Sequence, residues 1–224
     1  MTSMNRQVLL ASRPSGPVTE ANFRIVDAPL DAPQGGEVLV RNHWLSLDPY
    51  MRGRMSDAKS YAASVQLGDV MVGQTVGEVL ESRDARFKPG DRVLTPLGWQ
   101  SHGVARGDDL VTIDAQRAPS SYYLGILGMP GITAWFGLKE IGQPQAGETV
   151  VVSAASGAVG SVAGQLAKIA GCRVVGIAGG KAKCDYVVNE LGFDACVDHH
   201  LERFAACDDA LLAANRAAAP ETQS

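Results

Sequence analysis

The chain has 224 residues, 46% of them hydrophobic and 20% charged, and a net charge of −4. Those values exclude a disordered or collagen-like protein and allow a core that needs no disulfide framework. No Lys/Arg run exceeds an isolated pair, so the electrostatic footprint of a nucleic-acid binder is missing.

The amino terminus, MTSMNRQVLLASRP, has one short apolar run and no signal-peptide core, which predicts a cytoplasmic chain. The first 120 residues read as short β-strands with turn punctuation. Val38–Asn42 follows the Gly35-Gly36 break, Val70–Leu80 is apolar, and the turn Lys88-Pro89-Gly90-Asp91 leads into Arg92–Leu94. A small barrel or sandwich without a long helix is the expectation. His43 and His102 have no ligand partner in sequence and read as structural.

The pattern changes near Pro119. Ser120 and Ser121 can cap a helix over Tyr122–Leu127, and a second helix is predicted over Thr133–Ile141, stopped by Gly142 and Pro144. Two uncharged stretches, 118–138 and 149–167, are broken by Pro, Gly and Ser, which argues against a membrane span in either. After Gly147 the alternation becomes strand, turn, helix, strand. Strands are predicted at Glu148–Ser153, Arg173–Ile177 and Ala195–Val197, and helices at Val159–Ala170 and Lys183–Leu191. The first helix carries Val159, Val162, Ala163, Leu166, Ile169 and Ala170 on one stripe, read here as its buried face. This βαβαβ order implies a parallel sheet, and the Ala-rich segment from Leu201 departs from it.

Between the first strand and its helix stands AASGAVGSVAG, residues 154–164. Gly157 is expected to permit a tight turn, Gly160 a close approach of the backbone to a pyrophosphate, and Gly164 close helix–strand packing. The unpaired N–H groups at the helix start then favour an anion. At the end of the second strand the chain reads Ile177-Ala178-Gly179-Gly180-Lys181-Ala182-Lys183, with no carboxylate for a ribose 2′-hydroxyl and two lysines for a 2′-phosphate. NADPH is therefore expected over NADH, with Lys183 and, second, Lys181 as phosphate ligands. Cys172, Cys184, Cys196 and Cys207 form no CxxC pair and read as buried, reduced thiols rather than metal ligands.

Three segments together, LSLDPYMRGRM (45–55), GMPGITAW (128–135) and AASGAVGSVAGQLAKIAGCRVVGIAGG (154–180), resemble the zinc-independent medium-chain dehydrogenase/reductases. The branch is that of leukotriene B4 12-hydroxydehydrogenase, prostaglandin reductase and the alkenal double-bond reductases. The resemblance implies an α/β fold: a GroES-like β domain over residues 1–120 for substrate, then an incomplete Rossmann domain over 121–224 for NADP, with 201–224 an atypical tail. It implies NADPH-dependent reduction of a carbon–carbon double bond conjugated to a carbonyl, with a small-molecule enone or enal of unspecified bulk as partner and a homodimer as an option for full-length relatives. Motif by motif, Gly157, Ala158, Val159 and Gly160 would face the pyrophosphate, Lys183 the 2′-phosphate, and Met129 and Thr133 the nicotinamide. Gly179 and His199 complete the implied cofactor set, His199 standing where the family often has tyrosine.

Tyr50 would line the substrate pocket and donate a hydrogen bond to the substrate oxygen. No metal is expected. The early loop is Leu47-Asp48-Pro49-Tyr50 without a thiolate, and Gly73-Gln74-Thr75 stands where zinc-dependent relatives carry Gly-His-Glu. Arg52 and Arg54 read as ion-pairing residues. Family members run on past this chain's end, which implies a C-terminally truncated chain with an unpaired sheet edge. A catalytically inactive remnant that binds NADP weakly and an NADPH:quinone reductase are the alternatives.

Overall fold

The computed structural model describes residues 4–200, and the chain divides between Leu124 and Gly125 into two compact units. In the first unit, β3 (Glu37–Leu45) pairs with β4 (Thr75–Ser82), which continues to β5 (Arg92–Thr95) and β7 (Val111–Thr112). On its other side β3 takes β6 (His102–Arg106). Every pairing is antiparallel, and β3 shifts register between Leu39 and Val40 and again between Asn42 and Trp44. A hairpin of β1 (Met4–Leu10) and β2 (Phe23–Pro29) is tied on by hydrogen bonds from Val8 N–H to the Trp99 carbonyl and from Met71 N–H to the Val8 carbonyl. Val38, Val40, Val79, Phe87, Val93 and Leu110 fill the sheet's core. Leu10, Met51, Met55, Val65 and Met71 form a second cluster beneath the one-turn helix α1 (Tyr50–Arg54).

The predicted strand over Val70–Leu80 begins instead at Thr75. Residues 70–73 form an irregular segment, because Met71 spends its N–H on Val8 and its carbonyl on Trp99. The predicted helix over Tyr122–Leu127 is a 3₁₀ turn, Ser120–Leu124. The next helix starts four residues before its predicted bound, as α2 (Met129–Phe136) with Pro130 in its first turn. It runs on as a π-helical turn over Gly137–Gly142, closed by Gln143 in the left-handed region (φ 46°).

In the second unit, β8 (Thr149–Val152), α3 (Ala158–Ile169), β9 (Arg173–Ala178), α4 (Lys181–Asn189) and β10 (Ala195–Asp198) alternate. The sheet is parallel with order β10-β9-β8, so β8 and β10 are its edges among the described residues. The molecule has the fold class of a GroES-like β domain followed by a partial Rossmann domain. The tail from Leu201, with Cys207, lies outside the described residues. No helix among those described is long and apolar enough to cross a membrane.

The buried face of α3 differs from expectation. Gly160, Gly164 and Ala167 face inward, whereas Val159 is 39% and Ile169 82% exposed. The reason is steric. A Cβ at Gly164 would collide with the ring of Phe193, which is buried with Val152, Ala155, Val174 and Val187. Gly164 thus admits an aromatic ring from the loop before β10 rather than a strand. Asp194, beside that ring, accepts from Lys168 Nζ at 2.8 Å and from the Val174 N–H at 2.6 Å.

Replacing Gly164 by Ala tests this packing. Overpacking costs about 1–3 kcal/mol against a helix-propensity gain of about 1 kcal/mol, so net destabilisation is expected in urea unfolding, relieved by adding Phe193→Leu. Burial raises the Asp194 carboxyl, but Lys168, the Val174 amide and Arg173 outweigh it, and its pKa lies below the usual carboxylate value. Its contribution to stability is therefore present above the unfolded-state pKa and is lost as pH falls through the folded one. An acid-unfolding profile that flattens in Asp194→Asn checks the sign.

Candidate functional site

The carboxyl ends of β8, β9 and β10 define one end of the parallel sheet, where such sheets place their ligands. After β8 the backbone turns at Ala154, which takes φ 47°, a conformation that costs a non-glycine residue energy. Gly157 has φ −80°; its N–H closes the turn on the Ala154 carbonyl at 2.8 Å, and a Cβ there would stand only 3.1 Å from that oxygen. Ala155 is fully buried and its N–H reaches the Ile177 carbonyl at 3.0 Å, locking the turn to β9. A Cβ at Gly160 would strike the Ala154 carbonyl, so the glycine serves close packing of the helix start on the turn. Gly157 is the N-cap and has no side chain to bond the first amides of α3. Ala158 and Val159, the first residues after that cap, are exposed.

Gly179 and Gly180 connect β9 to α4. Gly180 has φ 89°, which only glycine adopts freely, and caps α4. The Asp198 carboxylate at the end of β10 accepts from the Gly180 N–H at 2.7 Å and from the His200 N–H at 3.0 Å. Those two backbone bonds are the main reason it lies below its ordinary pKa. Sequence reading missed Asp198 because it looked for a carboxylate on the second strand, and this one arrives from the third. Gly179 lies against His199 and His200: a Cβ there would come within 3.0 Å of either imidazole, and the two rings meet edge to face at 4.6 Å. His199 is thereby beside the glycine pair.

The two lysines differ. Lys181 Nζ is held by Asp185 one turn along, at 2.6 Å, whereas Lys183 is exposed and forms no ion pair among the described residues. On α2, which packs against α3, Met129 is 42% exposed, and the Thr133 hydroxyl donates to the Met129 carbonyl at 2.7 Å.

In the first unit, the helical turn α1 places Tyr50 half-buried against the cluster of Met51, Met55 and Met71. Burial first, then Asp48 and Tyr61, push the Tyr50 phenol above its ordinary pKa, with Arg54 opposing. Asp48, Pro49, Met51 and Arg52, which flank Tyr50 in sequence, line an open apolar pocket of about 300 Å³ together with Phe23 and Trp99. Those two rings stack at 5.3 Å, and the indole N–H of Trp99 is buried without an acceptor among the described residues. Arg52 and Arg54 depart from the ion pairing expected of them. Arg52 donates to the carbonyls of Pro14 and Gly16, because the loop after β1 reaches α1, and Arg54 Nε is buried without an acceptor among the described residues. His43 contacts Glu78 at 3.3 Å and His102 contacts the Ser101 hydroxyl at 3.0 Å. Among the described residues, no three His, Cys, Asp or Glu side chains converge as metal ligands would. Of the thiols, Cys172 is buried, while Cys184 and Cys196 are only half-buried, short of the full burial predicted.

Residues 6–113 match the family described as the N-terminal domain of oxidoreductase. The NADPH-dependent curcumin reductase of Escherichia coli is 52% identical over 90% of this chain and 58% of its own length. The NADP(+)-dependent 2-alkenal reductase of Nicotiana tabacum is 44% identical over 89% of this chain and 60% of its own. Among solved structures, CurA from Vibrio vulnificus in complex with NADPH superposes with a TM-score of 0.88 at 50% identity. That match covers 94% of this chain and 62% of CurA. The chain thus spans less than two thirds of the length of these relatives.

Asp198→Ala removes the acceptor that joins Gly180 to His200. We expect amide exchange at both positions to accelerate by about tenfold or more while β8 and β9 keep their protection, a local opening that hydrogen-exchange NMR resolves.

Proposed function

Because this chain belongs to the zinc-independent medium-chain dehydrogenase/reductases, in the branch of the curcumin, alkenal and prostaglandin reductases, we propose that it binds NADPH and reduces the carbon–carbon double bond of α,β-unsaturated ketones and aldehydes. One observation carries this reading. The amides of α3 without a side-chain cap and the Lys183 ammonium, which has no ion pair among the described residues, stand at the same end of one parallel sheet, a donor set suited to a pyrophosphate and a 2′-phosphate.

In this proposal Gly157, Ala158, Val159 and Gly160 present backbone N–H groups to the pyrophosphate, and Gly179 leaves room for the adenine ribose beside His199. Lys183 meets the 2′-phosphate, with Lys181 already committed to Asp185. Met129 and Thr133 flank the nicotinamide. When bound, NADPH supplies a hydride to the β carbon of the acceptor. Tyr50, a phenol that is protonated at neutral pH and whose pKa burial and Asp48 raise further, donates a hydrogen bond to the carbonyl oxygen as negative charge grows there. The apolar pocket lined by Pro49, Met51 and Trp99 takes the hydrocarbon part of the acceptor. Residues 1–120 then form the substrate domain and 121–224 the nucleotide domain. Small-molecule enones or enals are the partners, and a homodimer is proposed only for a full-length relative.

Fluorescence titration of the full chain with NADPH and NADH tests the cofactor. Lys183→Ala is expected to weaken NADPH binding about tenfold and leave NADH unchanged, as loss of one charge-assisted phosphate contact implies. Equal loss for both nucleotides would remove Lys183 from the 2′-phosphate. Consumption of NADPH with 2-alkenals but not quinones tests the acceptor class. In that assay Tyr50→Phe is expected to lower kcat about tenfold or more with NADPH affinity preserved. Nucleotide binding without turnover of any acceptor would limit the chain to a cofactor-binding unit.

A further inference from the structure

The first turn of α4 and the edge strand β10 bring two thiols together. The Cys196 S–H donates to the Cys184 sulfur across 2.7 Å. Neither sulfur belongs to the donor set described above, and both residues are half-buried, within reach of a small solute. The approach is set by backbone packing. Cys196 pairs in register with Gly176 of β9, and a side chain at Gly176 would press on Val187 of α4 at 2.9 Å and Phe193 at 3.2 Å. Helix and strand therefore meet at a distance that only a glycine permits. Cys172 stands apart, buried, with its thiol directed at the Gln145 carbonyl.

We propose that Cys184 and Cys196 are a modification site, forming an intramolecular disulfide when the chain meets a hydroperoxide. In the first step the Cys184 sulfur attacks one peroxide oxygen. An S–O bond forms, the O–O bond breaks, and the other oxygen leaves as an alcohol or water with the thiol proton. In the second step the Cys196 sulfur attacks Cys184. The S–S bond forms, the S–O bond breaks, and the hydroxyl leaves as water with the Cys196 proton. Two thiols are oxidised by two electrons in all, and one peroxide is reduced by two.

The order of attack follows from environment. Burial, and then the hydrogen bond to Cys184, push the Cys196 thiol up to about 12, so it is the poor first nucleophile and the waiting resolving thiol. The sulfurs need approach only to about 2.05 Å to bond, a shift that side-chain rotation can supply. The bond would tie the turn that carries Lys181 and Lys183 to the outer strand.

Thiol content reports this bond directly, whether or not the chain binds NADPH. The reduced full chain is exposed to hydrogen peroxide, denatured and labelled with a maleimide, and the labels are counted by mass. We expect labelled thiols to fall from the four present to two, to recover with dithiothreitol, and to yield a peptide with Cys184 bonded to Cys196. Cys207→Ser should still lose two, whereas Cys184→Ser and Cys196→Ser should each form no disulfide. Four labels after peroxide, Cys184 recovered as sulfinic acid, or Cys184 bonded to Cys172 or Cys207 would overturn the proposal.

Discussion

The first turn of α3 lies so close to the Ala154 carbonyl that no side chain fits at Gly160, and the candidate nucleotide end is built on that contact. To make the approach, the chain holds Ala154 in the left-handed region and fixes Ala155 to β9 through a buried backbone bond. The strain is local and is held by the core packed around Ala155. Because the cap is a glycine, the leading amides of the helix are left for an anion instead of being consumed by a Ser or Asp side chain. The same closeness continues down the helix, where Gly164 admits the Phe193 ring.

A second constraint holds the neighbouring turn. Gly180 takes a backbone conformation that a side chain would oppose, and the Asp198 carboxylate fixes it through its N–H. A carboxylate does stand at this end of the sheet, and both backbone donors that meet it bond its Oδ1 oxygen. Lys181 is neutralised by Asp185. Among the described residues this leaves Lys183, exposed and without an ion pair, as the lysine of that helix start whose charge is not offset. The first unit solves a different problem. Its antiparallel sheet supports one helical turn whose tyrosine is half-buried over methionines, in a setting that keeps the phenol protonated.

Much of this was legible in the residues themselves. Alternating strand and helix patterns, the glycine turn and the lysines after the second strand are local signals, and the structure has strands and helices where those signals are strongest. Local periodicity failed on α3 because Gly160, Gly164 and Ala167 make a stripe as regular as Val159, Val162 and Leu166 do. Hydrophobicity favoured the larger residues, while the interior selected the smaller ones to admit a ring. Arg52 was misread for a related reason. A guanidinium in a short helix suggests an ion pair, but the carbonyls of Pro14 and Gly16 reach it from a loop 36 or more residues away.

The sequence by itself determined the fold class of the chain and the order of its elements, since each depends on neighbours within a few residues. Only the tertiary structure decided which residues meet: Asp198 with Gly180, Phe193 with Gly164, Cys184 with Cys196, and the loop after β1 with Arg52. Such contacts join positions a dozen or more residues apart. They are fixed by sheet register and by the close approach of backbones, quantities that no local pattern of side chains encodes.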